Sequence, residues 1–87
     1  METLKRKIIS FWLTHIFLRR IGKRYPDYFK QWIVDLTDDN MTREIMYQRY
    51  LIKTPKKFEA IAIDLNIALR RVFEKHKRII YRIIGDV

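Results

Sequence analysis

The sequence predicts an all-α protein, a small bundle of four to five helices, and three observations support this prediction. Eighty-seven residues are enough for one domain and one core. Two Gly and two Pro leave few places for the tight turns that sandwiches and barrels need. Apolar residues make up 48% of the chain, and between the breakers many of them recur at helical spacing. Zero Cys means that packing alone, or association with another chain, must hold the fold.

The first predicted helix spans residues 4–21 and is apolar on most of its sides. At 100° per residue, its apolar side chains fall on two opposite faces: Leu4, Ile8, Phe11 and Leu18 on one, and Ile9, Leu13, Ile16 and Phe17 on the other. Such a helix is either central to a fold or shared with a partner, so we consider a homodimer through residues 4–21. A signal peptide is disfavoured, since no small-residue cleavage site follows and the apolar run is too short to span a bilayer. We expect a cytoplasmic protein in a bacterial host cell.

Two further helices are predicted between Gly22 and residue 52. Gly22 is expected to end the first helix, and Pro26 with Asp27 is typical of the first turn of the second. In that second helix, apolar residues recur at i, i+3, i+4 and i+7: Phe29, Trp32, Ile33 and Leu36. The polar run 37–40 is a linker with several N-cap residues, and a third helix is predicted over 42–52. Its candidate core residues are Ile45, Met46 and Leu51.

The C-terminal third leaves two interpretations open. Lys53-Thr54-Pro55 is predicted to break the third helix, with Thr54 as the cap and Pro55 in the first turn of a fourth. From Phe58 to Ile84 there is neither Gly nor Pro, and one long helix would align its apolar residues along a seam. Alternatively, Asn66 ends one helix in the left-handed conformation and a second helix begins after Ile67.

Few residues could support catalysis, so we predict no enzyme, no cofactor and no metal. The absence of Cys excludes thiolate sites. His15 lies in an apolar run and suits packing, whereas His76 lies among Lys and Arg and suits contact with phosphate. The run 38–40 is explained by capping, because no third carboxylate stands at the spacing of a calcium loop.

Residues 42–84 carry a pattern of known type. Arg49-Tyr50 precedes a short loop, and the segment 58–65 reads apolar-x-x-Ile-Ala-x-x-Leu. Asn66 then takes the turn position, and a basic helix with Val72 follows. This pattern resembles the helix-turn-helix of region 4 in bacterial sigma factors and the related small phage regulators of the ArpU type. It places Ala62 at the crossing of the two helices and four residues in their shared core: Ile61, Leu65, Ile67 and Val72.

The resemblance divides the single domain 1–87 into an N-terminal helical pair, 1–40, and a helix-turn-helix-like unit, 42–84. It implies a sequence-specific DNA-binding regulator of phage or mobile-element origin, with double-stranded DNA as partner, acting near promoters or on RNA polymerase. Helix 68–84 would enter the major groove. The residues expected to reach base edges are Arg70, Arg71, Glu74 and Lys75. Those expected to contact phosphate are Lys56, Lys57, Lys77, Arg78 and Arg82. Ala68 departs from the pattern, which usually has Ser or Thr at this position.

Charge alone is compatible with other partners. The net charge is +9, of which residues 1–25 carry +6, residues 26–53 carry −1 and residues 54–87 carry +4. A basic chain of this kind suits nucleic acid, including RNA, an anionic membrane surface or an acidic protein. One alternative is a helical inhibitor or adaptor that uses Leu69 and Phe73, which share a helix face. Another is a cationic membrane-active peptide, in which residues 4–24 lie at the interface.

Overall fold

The computed structural model describes residues 2–51, 54 and 56–85, and this part of the chain is all-α, as predicted. The elements are α1 (Glu2–Trp12), a π-helical turn (Leu13–Phe17), α2 (Leu18–Arg24), α3 (Pro26–Leu36), α4 (Asn40–Tyr50), α5 (Phe58–Leu65) and α6 (Leu69–Ile84). The backbone stays in the right-handed helical region at the junctions Trp12, Phe17 and Leu18. The segments α1 and α2 are therefore two halves of one continuous helix, and the described residues form a five-helix bundle.

The π-helical turn changes which residues of the first helix are buried. The amide of Leu18 donates to the carbonyl of Leu13, five residues earlier. One extra residue in this turn places Leu13 and Leu18 on the same side, and both are buried. The prediction that Leu18 shares a face with Ile8 and Phe11 is therefore wrong, because it assumed an uninterrupted 100° spacing.

Gly22 does not end the first helix, which continues to Arg24 and stops before Pro26. Proline disfavours helical backbone in the residue that precedes it, and Tyr25 accordingly leaves the helical region. Gly22 is buried where α2 crosses α4, and a Cβ atom at this position would overlap the backbone carbonyl of Tyr50. Its role is thus the close approach of two helices rather than a helix stop.

Two groups of buried side chains form the core. The first joins α2, α3, α4 and α6, and its members are Leu18, Phe29, Ile33, Met46, Tyr50, Ile79 and Ile80. The second joins α4, α5 and α6, and its members are Ile45, Ile61, Ala62 and Val72. Since α4 and α6 each supply residues to both groups, these two helices are the central elements of the bundle.

Most of the predicted core is confirmed. Phe29 and Ile33 are fully buried in α3, as are Ile45 and Met46 in α4. Three other predicted core residues are half-buried: Trp32, Leu36 and Leu51. Thr42 and Tyr50 are also buried, although helical spacing did not predict it.

Residues 58–84 form two helices, not one. Asn66 adopts left-handed backbone with φ 55° and ψ 46°, and α5 ends there. The amide of Ile67 donates to the carbonyl of Ala62 at 3.1 Å, which satisfies one of the last carbonyls of α5. Ala68 then precedes α6 without a side-chain cap.

The fourth helix begins later than predicted. Its first residue is Phe58, and Lys57 occupies the N-cap position. The predicted roles of Lys53 and Pro55 lie outside the described residues. No helix in the described part of the chain is both long and apolar enough to cross a membrane.

Candidate nucleic-acid interface

Helix α6 separates a buried apolar side from an exposed basic side. Val72, Ile79 and Ile80 are almost completely buried. The opposite side exposes all but one of the α6 residues predicted to contact DNA: Arg70, Arg71, Glu74, Lys77, Arg78 and Arg82. This separation follows from the helical period, because the core residues recur seven and eight positions apart.

Three arginines share one ridge of this helix. Arg71, Arg78 and Arg82 stand at i, i+7 and i+11, so at 100° per residue they lie within about 40° of one another. All three are exposed and, within residues 2–51, 54 and 56–85, none of them has an ion-pair partner. We call these three residues the arginine ridge. It is a line of positive charge that is open to an anionic ligand.

Lys75 is placed differently from this ridge. Its ammonium lies 2.6 Å from Asp39 Oδ2, and only 22% of its side chain is exposed. Asp39 is the N-cap of α4, where its carboxylate also accepts from the Met41 amide and the Thr42 hydroxyl. The hydrogen bond from Lys75, followed by that from Thr42, lowers the pKa of Asp39 to about 2. The structure therefore gives Lys75 a carboxylate partner at the N-terminus of α4, whereas it leaves Arg71 exposed.

Arg70 and Glu74 form an exposed ion pair on α6, beside the arginine ridge. Arg70 Nε lies 3.7 Å from Glu74 Oε1, and both side chains are more than half exposed. An exposed pair of this kind contributes little to stability, so either side chain is free to exchange its partner for a ligand. Lys77 is exposed on the same side, with its ammonium 5.6 Å from the centre of the Tyr81 ring.

The two lysines that precede α5 are not equivalent. Lys56 forms an ion pair with Asp64, and its ammonium also donates to Gln48 Oε1 at 3.1 Å. Lys57 is exposed at the N-cap of α5. Of the two predicted phosphate contacts at this helix end, Lys57 is thus the one that has no ion-pair partner among the described residues.

His76 is half-buried against α4 and α5, and it is not on the exposed basic side of α6 where a contact with phosphate was predicted. Its Nε2 is 2.6 Å from the Tyr50 hydroxyl, and Phe58 packs edge-on with ring centres 4.9 Å apart. Burial, with a smaller contribution from the Arg49 charge, lowers the pKa of His76 to about 4. Burial also raises the pKa of Tyr50 above its ordinary value. A neutral imidazole bonded to a phenol does not suit the predicted contact with phosphate, because it carries no charge and is half-buried.

Leu69 and Phe73, the residues of the protein-interaction alternative, have different surroundings. Leu69 is half-buried and packs against the second core group. Phe73 is 45% exposed, and its ring meets Phe58 edge-on at 5.2 Å between centres. The two residues therefore do not form one exposed apolar patch.

A second basic cluster lies on α2. Arg19, Arg20, Lys23 and Arg24 line one shallow depression, and the Arg19 Nε atom is buried without a hydrogen-bond partner among the described atoms. We call these four residues the α2 cluster. The described residues contain no group of three or more acidic or histidine side chains that could hold a metal ion.

Comparisons with family models, with curated proteins and with solved structures found no match to this chain. The resemblance to sigma-factor region 4 therefore depends on the residues quoted for it, and the case for function depends on the geometry of the chain itself.

Proposed function

We propose that this protein binds double-stranded DNA, with α5 and α6 acting as a helix-turn-helix and α6 entering the major groove. The arginine ridge of Arg71, Arg78 and Arg82 is the observation that supports this proposal most directly. Within the described residues, these three exposed guanidinium groups have no ion-pair partner, because Glu74 pairs with Arg70 and Asp39 pairs with Lys75. Unpaired positive charge on one side of a helix favours an anionic ligand.

The dimensions of α6 suit a groove. Sixteen residues make a helix of about 24 Å, and a major groove about 12 Å wide admits one α-helix. In proteins of this type the N-terminal residues of the recognition helix meet base edges. Arg71, with Arg70 beside it, occupies that end of α6, and a bidentate contact between arginine and guanine supplies discrimination between bases.

The remaining cations are assigned to the DNA backbone. Arg78 and Arg82 lie about two and three turns beyond Arg71 along the ridge, and Lys57 lies at the N-terminus of α5. Contacts of these residues with phosphate would fix the register of α6 without reading the sequence. Lys75 has a structural role instead, because its ion pair with Asp39 connects α6 to the N-terminus of α4. The resemblance to sigma-factor region 4 implies that this DNA binding serves transcription regulation at promoters.

The first test is a duplex binding titration over a range of salt concentrations. The logarithm of the binding constant should fall linearly with the logarithm of salt concentration, and Arg78→Ala or Arg82→Ala should each reduce that slope by about 1. Lys7→Ala removes one exposed charge from α1 and is the matched control, with an unchanged slope. Failure to bind any duplex at about 50 mM salt would show that the proposal is wrong, because non-specific affinity alone should appear there.

The second test concerns base reading by Arg71. Arg71→Ala should weaken binding to a duplex selected from a random pool by about 1–3 kcal/mol and binding to unselected DNA by much less. Arg82→Ala should weaken both by similar amounts, since phosphate contacts carry no sequence information. If Arg71→Ala and Arg82→Ala behave alike on both duplexes, α6 does not read bases through Arg71.

A further inference from the structure

The outer side of α1 carries an apolar surface that the fold leaves uncovered. Its members are 46–63% exposed: Leu4, Ile8, Phe11, Trp12 and Ile16. Positions 4, 8, 11, 12 and 16 stand at i, i+4, i+7, i+8 and i+12, which is the spacing of one helix face, so these side chains form one continuous stripe. We call them the α1 stripe. A contiguous apolar surface of this kind is unusual on a protein that has no partner.

The stripe is exposed because α1 attaches to the bundle by its other side. Leu13 is buried there, Ile9 is half-buried, and the Arg6 guanidinium lies 5.7 Å from the centre of the Tyr81 ring on α6. The aromatic rings of the stripe are held in place at the surface. Trp12 stacks on the half-buried Phe17 with ring centres 5.1 Å apart, and Phe11 lies 4.4 Å from His15.

Positive charge surrounds the stripe on the same helix. Lys5 and Lys7 are exposed on either side of it, and the α2 cluster follows after the π-helical turn. Residues 1–25 contain seven basic side chains and one acidic side chain, Glu2. The partner that covers this surface must therefore accept apolar side chains and supply negative charge.

These charges argue against a second copy of the chain as the occupant. Packing two α1 stripes together would bring two +6 segments into contact, with few acids to offset the repulsion. An anionic bilayer surface satisfies both requirements, because it offers an apolar boundary beneath a layer of phosphate groups. A helix with Trp, Phe and Leu on one side and Lys or Arg around it is typical of segments that lie in that boundary.

We propose that α1 lies flat on an anionic lipid bilayer, with the α1 stripe at the boundary between headgroups and acyl chains and the α2 cluster against lipid phosphates. The stripe covers thirteen residues, about 20 Å of helix. This arrangement needs no membrane-spanning segment, and none is present in the described residues. It uses a different helix from the proposed DNA contact, so the two proposals stand or fall separately.

The test measures vesicle binding by the full chain through the fluorescence of Trp12. Trp32→Phe leaves Trp12 as the one tryptophan, since the sequence has two. Vesicles that contain phosphatidylglycerol should shift its emission to shorter wavelength, and vesicles of phosphatidylcholine alone should not. Added salt should weaken the binding, because attraction between the cations and the lipid phosphates is screened.

A matched pair of substitutions separates specific docking from general adhesion of a basic protein. Ile8→Ser removes an isoleucine of the stripe that is 62% exposed, and Ile63→Ser removes one on α5 that is 81% exposed. Ile8→Ser should weaken vesicle binding about tenfold or more, whereas Ile63→Ser should leave it unchanged. Phe11→Ser should repeat the effect of Ile8→Ser, and all three variants should retain the far-ultraviolet circular dichroism of the parent chain.

Three results would overturn the proposal: no binding to anionic vesicles at low salt, equal loss in Ile8→Ser and Ile63→Ser, or a dimer in ultracentrifugation that Ile8→Ser abolishes without any vesicle binding. The last result would assign the stripe to a second copy of the chain. Duplex binding measured on Ile8→Ser should equal that of the parent chain, which keeps the outcome separate from the proposed DNA contact.

Discussion

Acidic side chains decide which of the basic residues remain available to a ligand. Asp39 holds Lys75 and Asp64 holds Lys56, whereas Arg71 and Lys57 have no ion-pair partner among the described residues. The difference arises from position. Asp39 caps α4 at the point where α6 passes. Asp64 lies near the end of α5, eight residues after Lys56, which precedes that helix. A count of Lys and Arg in the sequence cannot distinguish these environments.

Gly22 is the residue whose substitution should be least tolerated. Gly22→Ala would place a Cβ atom against the backbone carbonyl of Tyr50, and backbone cannot move aside as a side chain does. The free energy of unfolding should fall by about 2 kcal/mol, even though alanine has the better helix propensity. Urea denaturation measures this change.

Lys23→Ala is the control for that measurement, because Lys23 is exposed in the same helix and its removal should change stability by less than about 0.5 kcal/mol. If Gly22→Ala is as stable as the parent chain, α2 and α4 do not approach each other as closely as the structure shows.

At the scale of elements, the π-helical turn reconciles two different requirements. The helix up to and within this turn presents the α1 stripe to solvent and Leu13 to the core, and residues after the turn present Leu18 and Gly22 to the core. A regular helix of the same sequence would rotate Leu18 toward the exposed stripe. The extra residue in this turn therefore keeps both halves of the first helix packed on the bundle.

Deleting His15, an exposed residue within the π-helical turn, should be tolerated. The deletion places Leu13 and Leu18 four positions apart, and a regular α-helix then buries both of them. We expect a melting temperature equal to or above that of the parent chain, measured by circular dichroism.

Deletion of Gln48 from the regular helix α4 is the comparison for that experiment. It would rotate Met46 away from Tyr50 and should cause a large loss of stability. Equal losses in the two deletion variants would show that the π-helical turn does not behave as an inserted residue.

At the scale of the whole molecule, the charge is divided between two helices that face different surroundings. The C-terminal unit presents the arginine ridge, and the N-terminal helix presents the α2 cluster beside the α1 stripe. The two groups of buried side chains both include residues of α4. The N-terminal helical pair and the helix-turn-helix-like unit are therefore packed on a shared helix.

Stability of the whole fold should decrease with acid in two steps. The pKa of His76 is about 4 in the folded chain against an ordinary value of 6.5, so its neutral form stabilises the fold above pH 6.5 and this contribution is lost as the pH falls to 4. The pKa of Asp39 is about 2 against 3.8, so its contribution is lost between pH 4 and 2. We expect losses of about 3 kcal/mol in the first step and about 1 kcal/mol in the second, where solvent screens the ion pair.

Urea denaturation at several pH values tests this, with one variant for each step. His76→Gln retains a hydrogen-bonding partner for the Tyr50 hydroxyl and should remove the first step. Asp39→Asn retains the N-cap and should remove the second step. An unchanged first step in His76→Gln would mean that another group titrates in that range.

Much of the fold follows from the sequence, because local rules govern it. The spacing of Phe29 and Ile33 predicts the buried side of α3, and Pro26 marks its beginning. A helix end at Asn66 is one of two interpretations of the sequence, because asparagine adopts left-handed backbone more easily than most residues. The structure decides for this interpretation and against one long helix. The composition of α6 also predicts that its basic residues face solvent, although it does not show which of them are paired.

What only the tertiary structure decided depends on contacts between residues that are distant in the chain. Tyr50 and Phe58 enclose His76, and this burial favours its neutral form. The fold also brings Asp39, which lies 36 residues earlier in the chain, within hydrogen-bond distance of Lys75. The sequence by itself determined the all-α class, the start of α3 at Pro26 and the excess of positive charge, since these depend on neighbours along the chain. The pairing of charges, the role of Gly22 and the exposure of the α1 stripe were decided by packing, because each depends on which helix lies against which.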